Sequence, residues 1–88
     1  MAEAKVIVVN KMGLHARPAA QLVKTAAGFK SDVLIKRDDQ VVNGKSIMGV
    51  MMLAAGLGTE LTITVTGKDE DQALEAIVRL FENKFSED

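Results

Sequence analysis

The sequence has no cysteine, no tryptophan and no tyrosine, and it holds a single proline and a single histidine. Each absence closes off a chemistry. Without thiols there is no disulfide framework, no thiolate nucleophile and no cysteine-ligated metal, and one imidazole is a poor basis for a zinc site, so no metal or other cofactor is expected. Aromatic residues are scarce, only Phe29, Phe81 and Phe85, which removes the stacking surface of most single-strand nucleic-acid binders. Charge does not restore that reading: 11 Lys+Arg stand against 12 Asp+Glu, a formal net charge of -1, where a nucleic-acid partner calls for a basic face. Long apolar runs are missing too. The longest uncharged stretch, Ser46 to Thr59, is broken by Gly49, Gly56 and Gly58 and falls short of the roughly 20 residues of a spanning helix. Met1 to Lys5 leads straight into a strand-sized apolar run, so neither a secretory leader nor membrane insertion is expected, and a cytoplasmic location is the economical expectation.

What remains is a globular composition, 48% hydrophobic and 26% charged over 88 residues. A chain of this size buries about 60–65% of its unfolded surface and cannot be divided into two cores, so residues 1–88 are read as one domain. Val6 to Val9 is predicted as a buried strand, closed by Asn10 to Gly13. Ala16 to Ala27 has helical spacing, with Ala19, Ala20, Leu22, Val23, Ala26 and Ala27 on a broad apolar face and Gly28 as its stop. Asp32 to Lys36 and Gln40 to Val42 flank Arg37-Asp38-Asp39 and suit a hairpin. Ser46 opens a shorter helix bearing Ile47, Val50 and Met51, ended by Gly56 and Gly58. Leu61, Ile63 and Val65 alternate with Thr62, Thr64 and Thr66, the pattern of a half-buried strand. Asp69 with Gln72 approximates a capping box for a last helix with Ala73, Leu74, Ile77, Val78, Leu80 and Phe81 on its apolar face and Lys84 at its negative end. The order βαββαβα predicts an α+β fold, an antiparallel sheet covered on one face by helices. A ferredoxin-like sheet has nearly the same element order, and strand order cannot be read from the pattern.

Chemistry concentrates at Gly13-Leu14-His15-Ala16-Arg17-Pro18-Ala19-Ala20. His15 falls at a strand-to-helix junction. With Ala16, Arg17 and Pro18 as the first three helical positions, Pro18 stands where an amide would have no intrahelical partner, while the amides of Ala16 and Arg17 stay available. These amides, the positive end of the helix and the Arg17 guanidinium make an anion site. The same dipole disfavours protonation of the imidazole, which must be neutral to attack phosphorus. His15 is therefore a candidate phosphoryl carrier and Arg17 its phosphate partner. Gly44-Lys45-Ser46 echoes a P-loop ending, but Asp39 stands where that motif needs its first glycine, so nucleotide binding is not expected. Ser46 fits a helix cap. Ile47, Met48, Met51 and Met52 cannot all face inward from so short a helix, and the exposed ones would give an adaptable docking patch.

His15 followed by Arg17 and Pro18, together with Asn43-Gly44-Lys45-Ser46-Ile47-Met48-Gly49-Val50-Met51 at the matching separation, resembles the HPr family, the histidine phosphocarriers of the phosphoenolpyruvate-dependent phosphotransferase system. The likeness spans nearly the whole chain; Met12, Ala16, Ala27, Gly49 and Gly56 stand where some relatives carry polar or basic residues. It implies the HPr-like open-faced sandwich of four antiparallel strands under three helices. It implies a carrier, not an independent enzyme, that takes a phosphoryl group from Enzyme I on Nδ1 of His15 and passes it to an EIIA-type domain. It further implies Ser46 as a regulatory phosphorylation site for an HPr kinase/phosphorylase, and Ile47, Met48 and Met51, with Lys24 and Lys45, as partner-facing residues of a monomer. The carrier reading is for sugar uptake and its regulation, the branch that Lys45-Ser46-Ile47-Met48-Gly49 resembles. Two alternatives stand beside it: a carrier of the nitrogen-related branch, which the ending Leu80 to Asp88 resembles, and a regulatory binding module switched at Ser46.

Overall fold

The alternation of Leu61, Ile63 and Val65 with threonines decides where the core lies, because all three apolar side chains are buried while Thr62 and Thr64 remain partly exposed. A computed structural model describes residues 1–86 as β1 (Ala2–Ile7), α1 (Ala16–Ala27), β2 (Asp32–Arg37), β3 (Gln40–Asn43), α2 (Ile47–Met52), β4 (Glu60–Thr66) and α3 (Glu70–Glu82), with a short 3-10 turn at Lys84–Ser86. The strands form one antiparallel sheet in the order β1-β4-β2-β3. Its inner face contributes Val6, Val33, Ile35, Leu61, Ile63 and Val65 to a core completed by Leu22 of α1, Val50 of α2 and Ile77 and Phe81 of α3. Phe85 closes the end of that core, edge-to-face with Phe81 at a centroid distance of 4.9 Å. The fold is the predicted open-faced α+β sandwich. No helix among the described residues is long and apolar enough to cross a membrane.

Four local expectations are corrected. Val6 to Val9 is not uniformly buried: Val6 and Val8 point inward, Ile7 and Val9 are exposed, and the strand begins at Ala2 and ends at Ile7. A run of four apolar residues hides its alternation, and the outer face of this sheet is uncovered. On α1, Ala20 and Ala27 face solvent while Pro18, Ala19, Leu22 and Ala26 are buried. α2 is not ended by Gly56 and Gly58: its cap is Leu53, and Ala54 leaves the helix with φ 49°. Finally, Asp69 occupies the N-cap position of α3 but makes no side-chain capping bond. The reach-back contact comes from Glu70, whose carboxylate accepts the Gly67 amide at 3.1 Å and also pairs with the amino terminus at 2.8 Å. The chain ending Glu87-Asp88 lies outside the described residues.

The Asp69 carboxylate is drawn away by the turn that follows α1. It accepts the Ser31 hydroxyl, the Ser31 amide at 3.0 Å and the Lys30 amide at 2.9 Å. The Ser31 hydroxyl first, then the Lys30 amide, hold its pKa at about 2, below the ordinary 3.8. A depressed carboxylate pKa stabilises the folded state above the unfolded-state value, and that contribution fades as pH falls through the folded value. Asp69→Asn is expected to lower Tm by several degrees at pH 7 and to flatten the loss of stability between about pH 4 and pH 2, as measured by thermal melts across that range. A mutant melting curve with the wild-type acid dependence would refute the assignment.

Candidate active site

The turn that delivers His15 is pinned from both sides. Buried Asn10 donates its side-chain amide to the Gly13 carbonyl, and the Gly13 amide donates back to the Asn10 carbonyl at 3.0 Å. Gly13 has φ 70°, a conformation that glycine adopts without penalty. The next amide, Leu14, donates to the Ala55 carbonyl at 2.8 Å, and the Leu14 side chain is buried. The connection between β1 and α1 is thus stitched to the segment that follows α2.

His15 is the N-cap of α1, in extended backbone at φ -83° and ψ -169°. Its carbonyl accepts the first helical bond from the Ala19 amide at 2.9 Å, and its half-buried imidazole takes no part in capping. Ala19 is therefore satisfied and Pro18 has no amide, which leaves the N–H groups of Ala16 and Arg17 as the donors at this helix end. Both residues are exposed, Pro18 is buried, and no acidic residue occupies the first turn. Pro18 thus anchors the helix start to the core, while Ala16 and Arg17, the exposed residues between it and His15, supply two first-turn amides and a guanidinium-bearing side chain. That arrangement can hold an anion and orient a phosphoryl group.

A cavity of about 260 Å³ adjoins His15, lined by Met12, Leu14, Met51, Ala54, Ala55 and Gly56. Its far wall depends on Arg37, whose Nη1 donates to the carbonyls of Leu53 at 2.7 Å and Ala54 at 2.9 Å. The guanidinium satisfies the carbonyl end of α2 and steadies the left-handed Ala54, so that the Ala55 carbonyl is presented to Leu14. Sequence reasoning missed Arg37 and Ala54: a left-handed alanine has no local signature, and the partner of Arg37 lies 16 residues away.

The second motif builds α2. The Ser46 hydroxyl accepts the Gly49 amide at 3.1 Å, the cap expected of it, and the Ser46 carbonyl accepts the Val50 amide at 3.0 Å. Asn43 sets up the approach, its side-chain oxygen accepting the Lys45 amide at 2.8 Å. Only Val50 of α2 is buried, whereas Ile47, Met48 and Met51 face outward; Met51 joins the His15 cavity. The two lysines are placed elsewhere. Lys45 donates its ammonium to the Phe29 carbonyl at 2.8 Å, near the far end of α1, and exposed Lys24 stands about 14 Å along that helix from His15.

Comparison with known proteins agrees with this geometry. The family profile described as "PTS HPr component phosphorylation site" matches residues 2–83. The chain is 56% identical over 81 residues to the phosphocarrier protein HPr of Treponema pallidum (strain Nichols), covering 92% of each. Among solved structures, HPr-C-His from Thermoanaerobacter tengcongensis superposes with a TM-score of 0.97 at 44% identity, covering 100% of this chain and 99% of that one. An HPr dimer from the same organism superposes with a TM-score of 0.80 at 45% identity, covering 99% and 100%. With the family profile, the relatives and the fold in agreement, the chain belongs to the HPr family, the phosphocarrier proteins of the phosphotransferase system.

Proposed function

We propose that His15 is the phosphoryl acceptor, charged through Nδ1 by phospho-Enzyme I in the cytoplasm and discharged to an EIIA-type domain. The observation that carries this reading is the helix start at His15, with Ala16 and Arg17 exposed at the first helical positions and no carboxylate in the first turn. The donor's phosphorus–nitrogen bond breaks as the bond to the His15 ring nitrogen forms, and the phosphoryl oxygens stay negatively charged throughout. The Arg17 guanidinium and the two amides hold those oxygens in line, so this chain supplies positioning and charge stabilisation. The protein serves as a monomer, meeting donor and acceptor in turn through one surface formed by Ile47, Met48 and Met51 beside His15. Exposure of all three supports this use. Lys24 and Lys45 stand away from His15, so their positive charge acts on partner encounters only at longer range.

The test is incubation with Enzyme I and phosphoenolpyruvate, followed by intact mass and peptide mapping. An acid-labile phosphoryl group on His15 is expected; an unmodified protein, or a label mapped elsewhere, would refute the reading. Adding purified EIIA-type domains of the sugar-uptake and nitrogen-related branches then identifies the acceptor by which one removes the label.

Ser46 is proposed as a regulatory phosphorylation site for an HPr kinase/phosphorylase. A phosphoryl group there adds about -1.5 to -2 charge beside the docking surface. Ser46→Asp isolates the charge, since aspartate caps a helix as well as serine does. It should leave Tm nearly unchanged and slow charging of His15 by about tenfold, an effect that shrinks as salt is raised. Equal charging rates for the two proteins in stopped-time assays would remove Ser46 from the mechanism.

A further inference from the structure

The protein has five methionines, and none of them is in its core. The buried apolar positions are filled by valine, leucine, isoleucine, alanine and phenylalanine, although methionine is a common gap-filler of interiors. Met1 is at the outer end of β1, its amino group paired with Glu70 at the start of α3. Of the other four, Met12 and Met51 line the cavity beside His15, and Met48 and Met52 share the helix of Met51, Met48 being three residues from Met51 and four from Met52 on one flank of α2. Met12, Met48, Met51 and Met52 are 76%, 75%, 43% and 66% exposed. Exposure on this scale gives a dissolved peroxide direct access to each sulfur.

We infer that Met12, Met48, Met51 and Met52 form an oxidation site, converted by hydroperoxides to sulfoxides that close the docking surface around His15 while the fold persists. In each step the thioether sulfur takes one oxygen atom from hydrogen peroxide and gives up two electrons; the O–O bond breaks and water leaves. The product is polar where the thioether was apolar. A surface that buries these side chains against a partner would then have to desolvate up to four S=O dipoles. The fold is insulated because no core position holds sulfur and no cysteine exists to compete for the oxidant. Sulfoxide reductases return the thioether, so the switch is reversible. The inference rests on the docking role proposed above for α2.

The test treats the full-length protein with millimolar hydrogen peroxide and maps the sulfoxides by peptide mass. Each sulfoxide adds about 16 Da. Far-ultraviolet circular dichroism and Tm should remain those of the untreated protein, while Enzyme I affinity and the rate of His15 charging fall by about tenfold. Methionine sulfoxide reductases should restore both. A variant carrying M12L, M48L, M51L and M52L, whatever its own starting rate, should show the same rate before and after peroxide. Sulfoxides at all four positions with unchanged affinity and unchanged charging would overturn the inference while leaving the docking role intact. An equal peroxide loss in the leucine variant would also overturn it, placing the damage at another residue. If untreated protein fails to bind Enzyme I at all, the docking role and the inference fall together.

Discussion

His15→Ala is expected to lose phosphoryl acceptance by more than about 1,000-fold, the scale reached when a covalent nucleophile is removed, with stability held within about 0.5 kcal/mol. The two halves of that expectation have separate causes. Acceptance is lost because the chain has no second imidazole, and the amides of Ala16 and Arg17 can bind an anion without providing the attacking lone pair. Stability is held because the imidazole is half-buried and does not cap α1, while the backbone carbonyl that accepts the Ala19 amide survives the substitution. Charging assays and urea melts on the same preparation check both halves. Equal labelling of the variant would show that His15 is not the acceptor, and a collapse in stability would show that the side chain supports the fold.

The second large effect is expected at Gly13, where no chemistry occurs. An alanine there places its Cβ 2.7 Å from the Ala55 carbonyl oxygen and 2.8 Å from the Gly56 Cα, both backbone atoms, at φ 70°. Left-handed strain and collision with atoms that cannot rotate away together cost about 2–4 kcal/mol. The collision falls on the carbonyl that accepts the Leu14 amide, so relief of the clash moves His15 relative to the cavity wall. Gly13→Ala should therefore lose both stability and charging rate. Gly56→Ala is the internal comparison, because a Cβ at Gly56 meets nothing within 4 Å, and its stability should stay within about 0.5 kcal/mol of the parent. Chemical denaturation of the pair decides the matter: equal midpoints would show that the stitched turn tolerates a side chain.

These expectations mark the boundary of what the sequence revealed. The His15 motif, the Ser46 cap and the alternation of β4 were legible because each is a local pattern whose partners lie within a few residues. The end of α2 was not, because the stop comes from a left-handed Ala54 held by Arg37 across the molecule. Asp69 shows the same limit from the other side. Its position at the start of α3 was legible, but its carboxylate is claimed by Lys30 and Ser31, nearly forty residues back. Val6 to Val9 was misread for want of contrast, since Ile7 and Val9 are as apolar as their buried neighbours and only the uncovered outer face of the sheet tells them apart.

Strand order has a consequence for how the site comes into being. β4 lies between β1 and β2 and hydrogen-bonds to both, so the two halves of the sheet have no direct pairing with each other. Ala2 pairs with Val65, a closure over about 60 residues that must precede any reward from the contact. The Val8 amide reaches the Thr59 carbonyl at the threshold of β4, next to the turn that carries His15. A chain cut short before Glu60 would hold His15, Arg17 and Ser46, the residues proposed to handle or regulate the phosphoryl group, and lack the strand that ties their two halves together. Competence for transfer is thus a property of the finished sheet, acquired only when its late central strand has been laid between the early ones.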